Sequence, residues 1–132
     1  MEQPAGNKIT GNPSSHPALS VKWVEDFPDI PLNRNEAYKL RVTSKGVEIE
    51  AITETGVYRA IQTLRQLTEK KGNGIAITGC EITDWPAFRI RGFMQDVGRT
   101  YISTDELKRE IAILARYKIN VFHWHLTENQ AS

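Results

Sequence analysis

"INVFHWHL" (residues 119–126) and "RIRGFMQDVG" (residues 89–98) decide the fold of the chain's second half. The first is apolar at positions of both parities, as in a strand covered on both faces, which points to a parallel sheet. The second is a strand candidate with few charges in its middle. Between them "STDE" (103–106) has capping-box spacing, Ser103 to Glu106. Leu107, Ile111, Leu114 and Ala115 follow as a helical stripe to about Tyr117. Strand, helix and strand within about forty residues make a right-handed βαβ unit.

Working backwards, Asp84-Trp85-Pro86-Ala87-Phe88 is a junction, since proline turns the residue before it away from helix. Upstream the grammar differs. "LSVKWV" (19–24) alternates as a strand does, and "DFPDIPLN" (26–33) breaks it with two prolines. "AYKLRVT" (37–43), the turn Thr43-Ser44-Lys45-Gly46 and "VEIEAI" (47–52) form a hairpin with one dry and one wet face. From Gly56 to about Lys70 the period becomes helical: Val57, Ala60, Ile61, Leu64 and Leu67 share a face. Arg59, Gln62, Arg65 and Gln66 are expected largely outside it. Lys70 and Lys71 suit the helix C-terminus and Gly72 its stop. "GIAITGCEIT" (74–83) returns as one or two short strands. The predicted fold is an α+β segment over residues 19–85, its helix covering the dry sheet face. A βαβ unit of α/β type follows over 86–132. Residues 1–18, polar and rich in Gly, Pro, Ser and Asn, are expected to form a flexible arm, with His16 exposed in it.

Composition narrows the function. Seventeen basic and sixteen acidic residues leave a formal charge of +1, which gives no electrostatic footprint for nucleic acid or an anionic membrane. No apolar run approaches the roughly 20 residues of a membrane span. The N-terminus has no apolar core of the kind a signal peptide carries. With one cysteine, Cys80, no internal disulfide forms, and zinc sites of four cysteines or of two cysteines and two histidines are excluded. Cys80 reads as a packing residue.

The candidate chemistry lies just past the strands. In a parallel unit both C-terminal ends meet on one rim, the place where α/β folds build sites. Arg99 follows the first strand and Glu128 the second, within about 10 Å of each other if the strands are neighbours. A guanidinium fork and a carboxylate on one cleft suit a polyhydroxylated ligand; they also make a plain salt bridge. His123 and His125 share one strand face. They read either as two zinc ligands or as hydrogen-bonded histidines that fix a neighbouring carboxylate. Asp96 ends the first strand and is placed to orient Arg99 or hold loop backbone. Gly92 reads as a close-packing position, and Trp124 as a core residue or a sugar platform.

"DWPAFRIRGFMQDVGRTYIS" (84–103) and "LARYKINVFHWHLTENQ" (114–130), with "GVYRAIQTLRQL" (56–67) more weakly, resemble the glycoside hydrolase family 20 β-N-acetylhexosaminidases. The resemblance runs from about Tyr38 to the end. It implies the helix of an α+β domain that precedes a (β/α)8 barrel, then that barrel's opening βαβ. It matches Arg99 to an arginine that binds the outer hydroxyls of a terminal sugar. Glu128 matches an acidic position, more often Asp, that supports the site through a histidine further along the family's chain. Its extra methylene moves the carboxylate by about one bond. His125 and His123 match the "HWH" strand as supporting residues; Asp96 is counted as supporting from its place at the end of the first strand.

The implied reaction is retaining hydrolysis of a terminal β-linked N-acetylhexosamine, in which the substrate's acetamido oxygen is the nucleophile. No cofactor and no metal is implied, and the implied partner is a glycan carrying that sugar. The family's catalytic Asp-Glu pair lies beyond its second barrel strand and has no counterpart before Ser132. "VEDF" (24–27) lies in the opening segment and "TDEL" (104–107) caps a helix. A whole barrel needs about 200 residues or more. The chain is therefore expected to be an N-terminal portion of such an enzyme, inactive alone, with either self-association through uncovered strands or a mobile C-terminal third. Family members are often exported or lysosomal, but no address is legible here. The rival readings are a non-enzymatic glycan-binding or interaction module, and the start of a metal-dependent hydrolase using the His-x-His pair.

Overall fold

A computed structural model describes residues 8–10 and 18–127. The chain divides into two compact units, residues 1–87 and 88–132.

In the first unit a four-stranded sheet has the order β2-β4-β3-β7, formed by β2 (Ala18–Trp23), β4 (Gly46–Ala51), β3 (Tyr38–Thr43) and β7 (Cys80–Asp84). The β3–β4 hairpin is antiparallel, with Leu40 opposite Ile49 and Val42 opposite Val47. β7 runs antiparallel to β3, and β2 runs parallel to β4. Alternation is clean: Tyr38, Leu40, Val42, Val47, Ile49 and Ala51 are all buried. Their wet neighbours form ion pairs such as Arg41–Glu81 at 2.8 Å and Lys22–Glu50 at 2.6 Å. Helix α1 (Glu54–Gln66) lays Ala60, Val57, Ile61 and Leu64 on the dry face. Of the sheet's side chains on that face, Leu40 and Ile49 are almost wholly buried and each contributes roughly 1.5–3 kcal/mol.

Two glycines are required by geometry. A Cβ on Gly46, at φ +148°, would stand 2.4 Å from the Ala18 carbonyl oxygen of the neighbouring strand. One on Gly56 would stand 2.5 Å from that of Ala37, so glycine lets the first turn of α1 close on the start of β3. Tyr38 ties three elements together. Its hydroxyl donates to Asp84 Oδ2 at 2.8 Å and so accepts from Thr63 Oγ1 of α1 at 2.5 Å.

Four expectations for this unit are corrected. Lys8–Thr10 is not part of a flexible arm but a strand, β1, antiparallel to β6 (Gly74–Thr78) in a small sheet of order β1-β6-β5, with β5 at Thr68–Lys71. Main-chain pairing holds it, and three residues are too few to show a period. Ala18 likewise already belongs to β2. Helix α1 ends at Gln66, and Thr68–Lys71 is strand β5, so Lys70 and Lys71 lie in a hairpin. Gly72, at φ 58°, turns that hairpin and stops no helix. Arg59 and Gln62 are buried, not outside, because a 3-10 turn at Arg34–Glu36 walls that flank of the helix. Arg59 Nε donates to Glu36 Oε2 at 2.9 Å. His16 lies outside the described residues. Cys80 is partly buried against the core, and burial pushes its thiol pKa up.

The second unit is β8 (Gly92–Asp96), α2 (Thr104–Arg116) and β9 (Val121–His125). β8 and β9 pair in parallel, with Gly92 opposite Val121 and Asp96 opposite His125. The capping box is present: Glu106 N donates to Ser103 Oγ at 3.3 Å and Ser103 N to Glu106 Oε2 at 3.0 Å. Leu107 is the buried apolar side chain among this unit's described residues. Leu114 and Ala115 are partly buried, while Ile111 of the predicted stripe is exposed. A Cβ on Gly92 would make only ordinary contact, 3.9 Å from Val121 Cβ, so close packing does not explain that glycine.

Candidate functional site

The rim depends on the parallel register, and the register is fixed at the opposite end of the strands. Helix α2 stops in a Schellman motif: Ile119 N donates to Leu114 O and Lys118 N to Ala115 O, both at 3.1 Å. Lys118 takes the left-handed position, φ 62°, that glycine usually fills. Asn120 then grips the entry to β8. Its Oδ1 accepts from Arg91 N and its Nδ2 donates to Arg89 O, both at 2.8 Å, while its own N–H donates to Arg91 O at 3.0 Å. The side-chain amide thus acts as an extra peptide group between the two segments. Arg91 Nε donates to Lys118 O at 2.8 Å and joins the same clamp.

With the register set, side chains alternate across the pair. Met94 and Asp96 of β8 share a face with His123 and His125 of β9, as their register partners. Phe93 and Phe122 stack on the other face, ring centroids 6.4 Å apart. Phe93 also lines a shallow groove with Glu106, Arg109, Glu110, Ile113 and Leu114 of α2. Trp124 lies on the Phe93 face and is half exposed.

At the C-terminal rim, Asp96 and His125 come together: Asp96 Oδ1 lies 3.4 Å from His125 Nδ1, both side chains about 30% exposed. The same Oδ1 accepts from Gly98 N at 2.8 Å. Val97 N donates to His125 O at 3.0 Å, carrying the parallel ladder one step past β8. Arg99 follows in an exposed bend. The Gly98 N–H holds the Asp96 carboxyl below its ordinary range; burial opposes it, and His125 and the positive charge of Arg99 add to the lowering. Asp96 is therefore ionised near neutrality and accepts hydrogen bonds only.

The structure thus brings together Asp96, His125 and the turn that carries Arg99. His123 is on the same face, exposed, its ring edge-on to that of His125 at 6.1 Å. Among the described residues no group of three or more His, Cys, Asp and Glu side chains is placed to hold a metal. Glu128 lies outside the described residues, and so does its relation to Arg99. Sequence reasoning missed Asn120 and Gly98. A polar residue immediately before an apolar strand was the available signal for Asn120. Nothing local distinguished Gly98, which matters through its N–H.

Comparison with known proteins bears on the family and the fold. The model of glycosyl hydrolase family 20, domain 2, matches residues 4–85, and that of the family's catalytic domain matches residues 88–132. A beta-hexosaminidase of Porphyromonas gingivalis is 42% identical over 98% of this chain and 16% of its own length. A beta-N-acetylhexosaminidase of Cellulomonas fimi is 40% identical over 86% of this chain and 23% of its own. The chain therefore spans about a fifth of the length of these relatives. Among solved structures, the family 20 exo-beta-N-acetylglucosaminidase of Vibrio harveyi in complex with N-acetylglucosamine superposes on 85% of this chain and 17% of its own. Its TM-score is 0.73 and its sequence identity 37%. A mutant Streptomyces plicatus beta-hexosaminidase in complex with product GlcNAc covers 88% of this chain and 24% of its own, with a TM-score of 0.73 and 32% identity. An α+β unit matched over its whole sheet, followed at Phe88 by a parallel strand pair matched to the catalytic domain, makes this chain a member of glycosyl hydrolase family 20.

Proposed function

We propose that this chain supplies one edge of the saccharide site in a glycoside hydrolase. That enzyme removes terminal β-linked N-acetylhexosamine, as N-acetylglucosamine or N-acetylgalactosamine, by substrate-assisted retaining hydrolysis. The observation that carries the reading is the parallel pairing of Asp96 with His125. Arg99 and Glu128 each lie three residues beyond one member of that pair. Arg99 then grips outer hydroxyls of the terminal sugar through its guanidinium fork. Glu128, His125, His123 and Asp96 hold that edge in place. The acetamido oxygen of the substrate attacks the anomeric carbon, and a glutamic acid and an aspartate from further sequence act as general acid and as the acetamido's orienting group. The domain division that goes with this reading is an accessory α+β domain over 19–85 and the barrel's opening strand-helix-strand over 86–132.

The test has two arms. The 132-residue chain, given a chromogenic N-acetylglucosaminide, should show no turnover above buffer, and monosaccharide should bind it only weakly in calorimetry. In the longer polypeptide, Arg99→Ala should cut kcat/KM by about 10²–10⁴, the scale of a lost charged hydrogen-bond pair. Efficient turnover by the 132-residue chain, or an Arg99→Ala enzyme with unchanged kcat/KM, overturns the reading.

A further inference from the structure

We propose that Asp96 is a positioning residue. It acts through a single oxygen, Oδ1, latching the Arg99 turn to the end of β9 and fixing His125 in the Nδ1–H tautomer. Oδ1 meets two donors from two segments, Gly98 N at 2.8 Å and His125 Nδ1 at 3.4 Å. Val97 N closes the ring by donating to His125 O at 3.0 Å. The two consecutive peptide N–H groups immediately before Arg99 are therefore both held, one by His125's carbonyl and one by the carboxylate its ring also meets.

Chemistry sets the tautomer. An ionised carboxylate offers only acceptor sites, so the nitrogen facing it carries the proton. The carboxyl is held ionised by the Gly98 N–H first, and then by His125 and Arg99. In the neutral ring Nε2 is then the acceptor nitrogen, so His125 presents a hydrogen-bond acceptor, not a proton donor, on its other side. This is the arrangement by which carboxylates orient histidines in other sites. That the latch serves a sugar site rests on the reading above, in which Arg99 holds sugar hydroxyls. The latch itself is independent of any sugar.

Nitrogen-15 NMR of the imidazole rings in the wild-type chain, above the pH at which histidine is protonated, reads the tautomer directly. His125 is expected mainly as Nδ1–H. In Asp96→Ala that form should lose its dominance, and Gly98 N–H should exchange about tenfold faster, the scale of one lost hydrogen bond. Asp96→Asn, which keeps an acceptor oxygen, should restore both in part. A wild-type His125 found mainly as Nε2–H overturns the proposal without any variant. So does an Asp96→Ala chain whose His125 nitrogen shifts and Gly98 exchange match wild type. A wild-type His125 found mainly as Nε2–H in a longer polypeptide whose hydrolysis does depend on Arg99 refutes the latch alone. The correct tautomer in a protein whose Arg99 does not affect hydrolysis refutes the sugar reading alone.

Discussion

Asp96 and His125 are direct partners in the parallel register of β8 and β9, with Asp96 Oδ1 3.4 Å from His125 Nδ1. They stand in segments nearly thirty residues apart, so only the βαβ crossover makes them neighbours. What holds their strands in register lies at the other end, and each such device has a measurable consequence.

The clamp at Asn120 is the first. Its side chain makes two hydrogen bonds to the backbone of Arg89 and Arg91. Asn120→Ala should destabilise the second unit by about 1–3 kcal/mol, the sum of two modest net hydrogen bonds. Amide exchange of the β8–β9 ladder should report the loss, while exchange in β3 and β4 stays at wild-type rates.

Lys118 holds a left-handed conformation at φ 62°. Glycine adopts that region without a Cβ clash, so Lys118→Gly should stabilise the unit by about 1 kcal/mol. The bond from Arg91 to the Lys118 carbonyl is to backbone and survives the change. Denaturant unfolding should show a raised midpoint at constant slope.

Acid should loosen the start of α2. Ser103, through its hydroxyl and then its backbone N–H, holds the Glu106 carboxyl below its ordinary range. A carboxylate depressed in the folded state stabilises fully above its unfolded value, about 4.3, and the stabilisation is lost as pH falls through the lower folded value. The Asp96 carboxyl follows the same sign. Exchange of the first-turn amides of α2 should therefore accelerate below about pH 4. In Glu106→Gln, which still caps but does not ionise, that acid step should vanish.

The Arg59–Glu36 pair is nearly dry, the two side chains 9% and 16% exposed. Removing one partner leaves a buried charge uncompensated. Glu36→Ala should cost the first unit about 3–5 kcal/mol, and replacing both by apolar residues should cost much less. A double-mutant cycle by thermal unfolding separates the two.

Self-association is the expected behaviour of the chain in isolation. Met94, Val121, Trp124 and Leu126 are exposed on or beside the β8–β9 pair, and this unit buries little apolar surface of its own. Exposed apolar strands with unpaired edges recruit further strands. Sedimentation should show concentration-dependent mass, and monomeric behaviour with full amide protection over Val121–Leu126 would contradict it.

Periodic patterns carried the elements. The alternation through Tyr38, Leu40 and Val42, the helical stripe from Val57 to Leu64, and the Ser103–Glu106 spacing each gave an element that the structure contains. Local signals failed where a partner distant in sequence decides the outcome. Lys8–Thr10 is a strand because β6 offers it an edge. Thr68–Lys71 leaves the helix because it pairs with β6 as well. Arg59 is buried because Glu36 is there to meet it.

For the site, the sequence by itself determined the residue types, their order, and their place past two strands of like direction, since period and spacing are properties of the local chain. Tertiary structure alone decided that Asp96 and His125 share one oxygen with Gly98, and that Asn120 sets the register from the far end. Such contacts join segments through strand pairing and the crossover, and hydrogen bonds form only at distances near 3 Å that no linear spacing encodes.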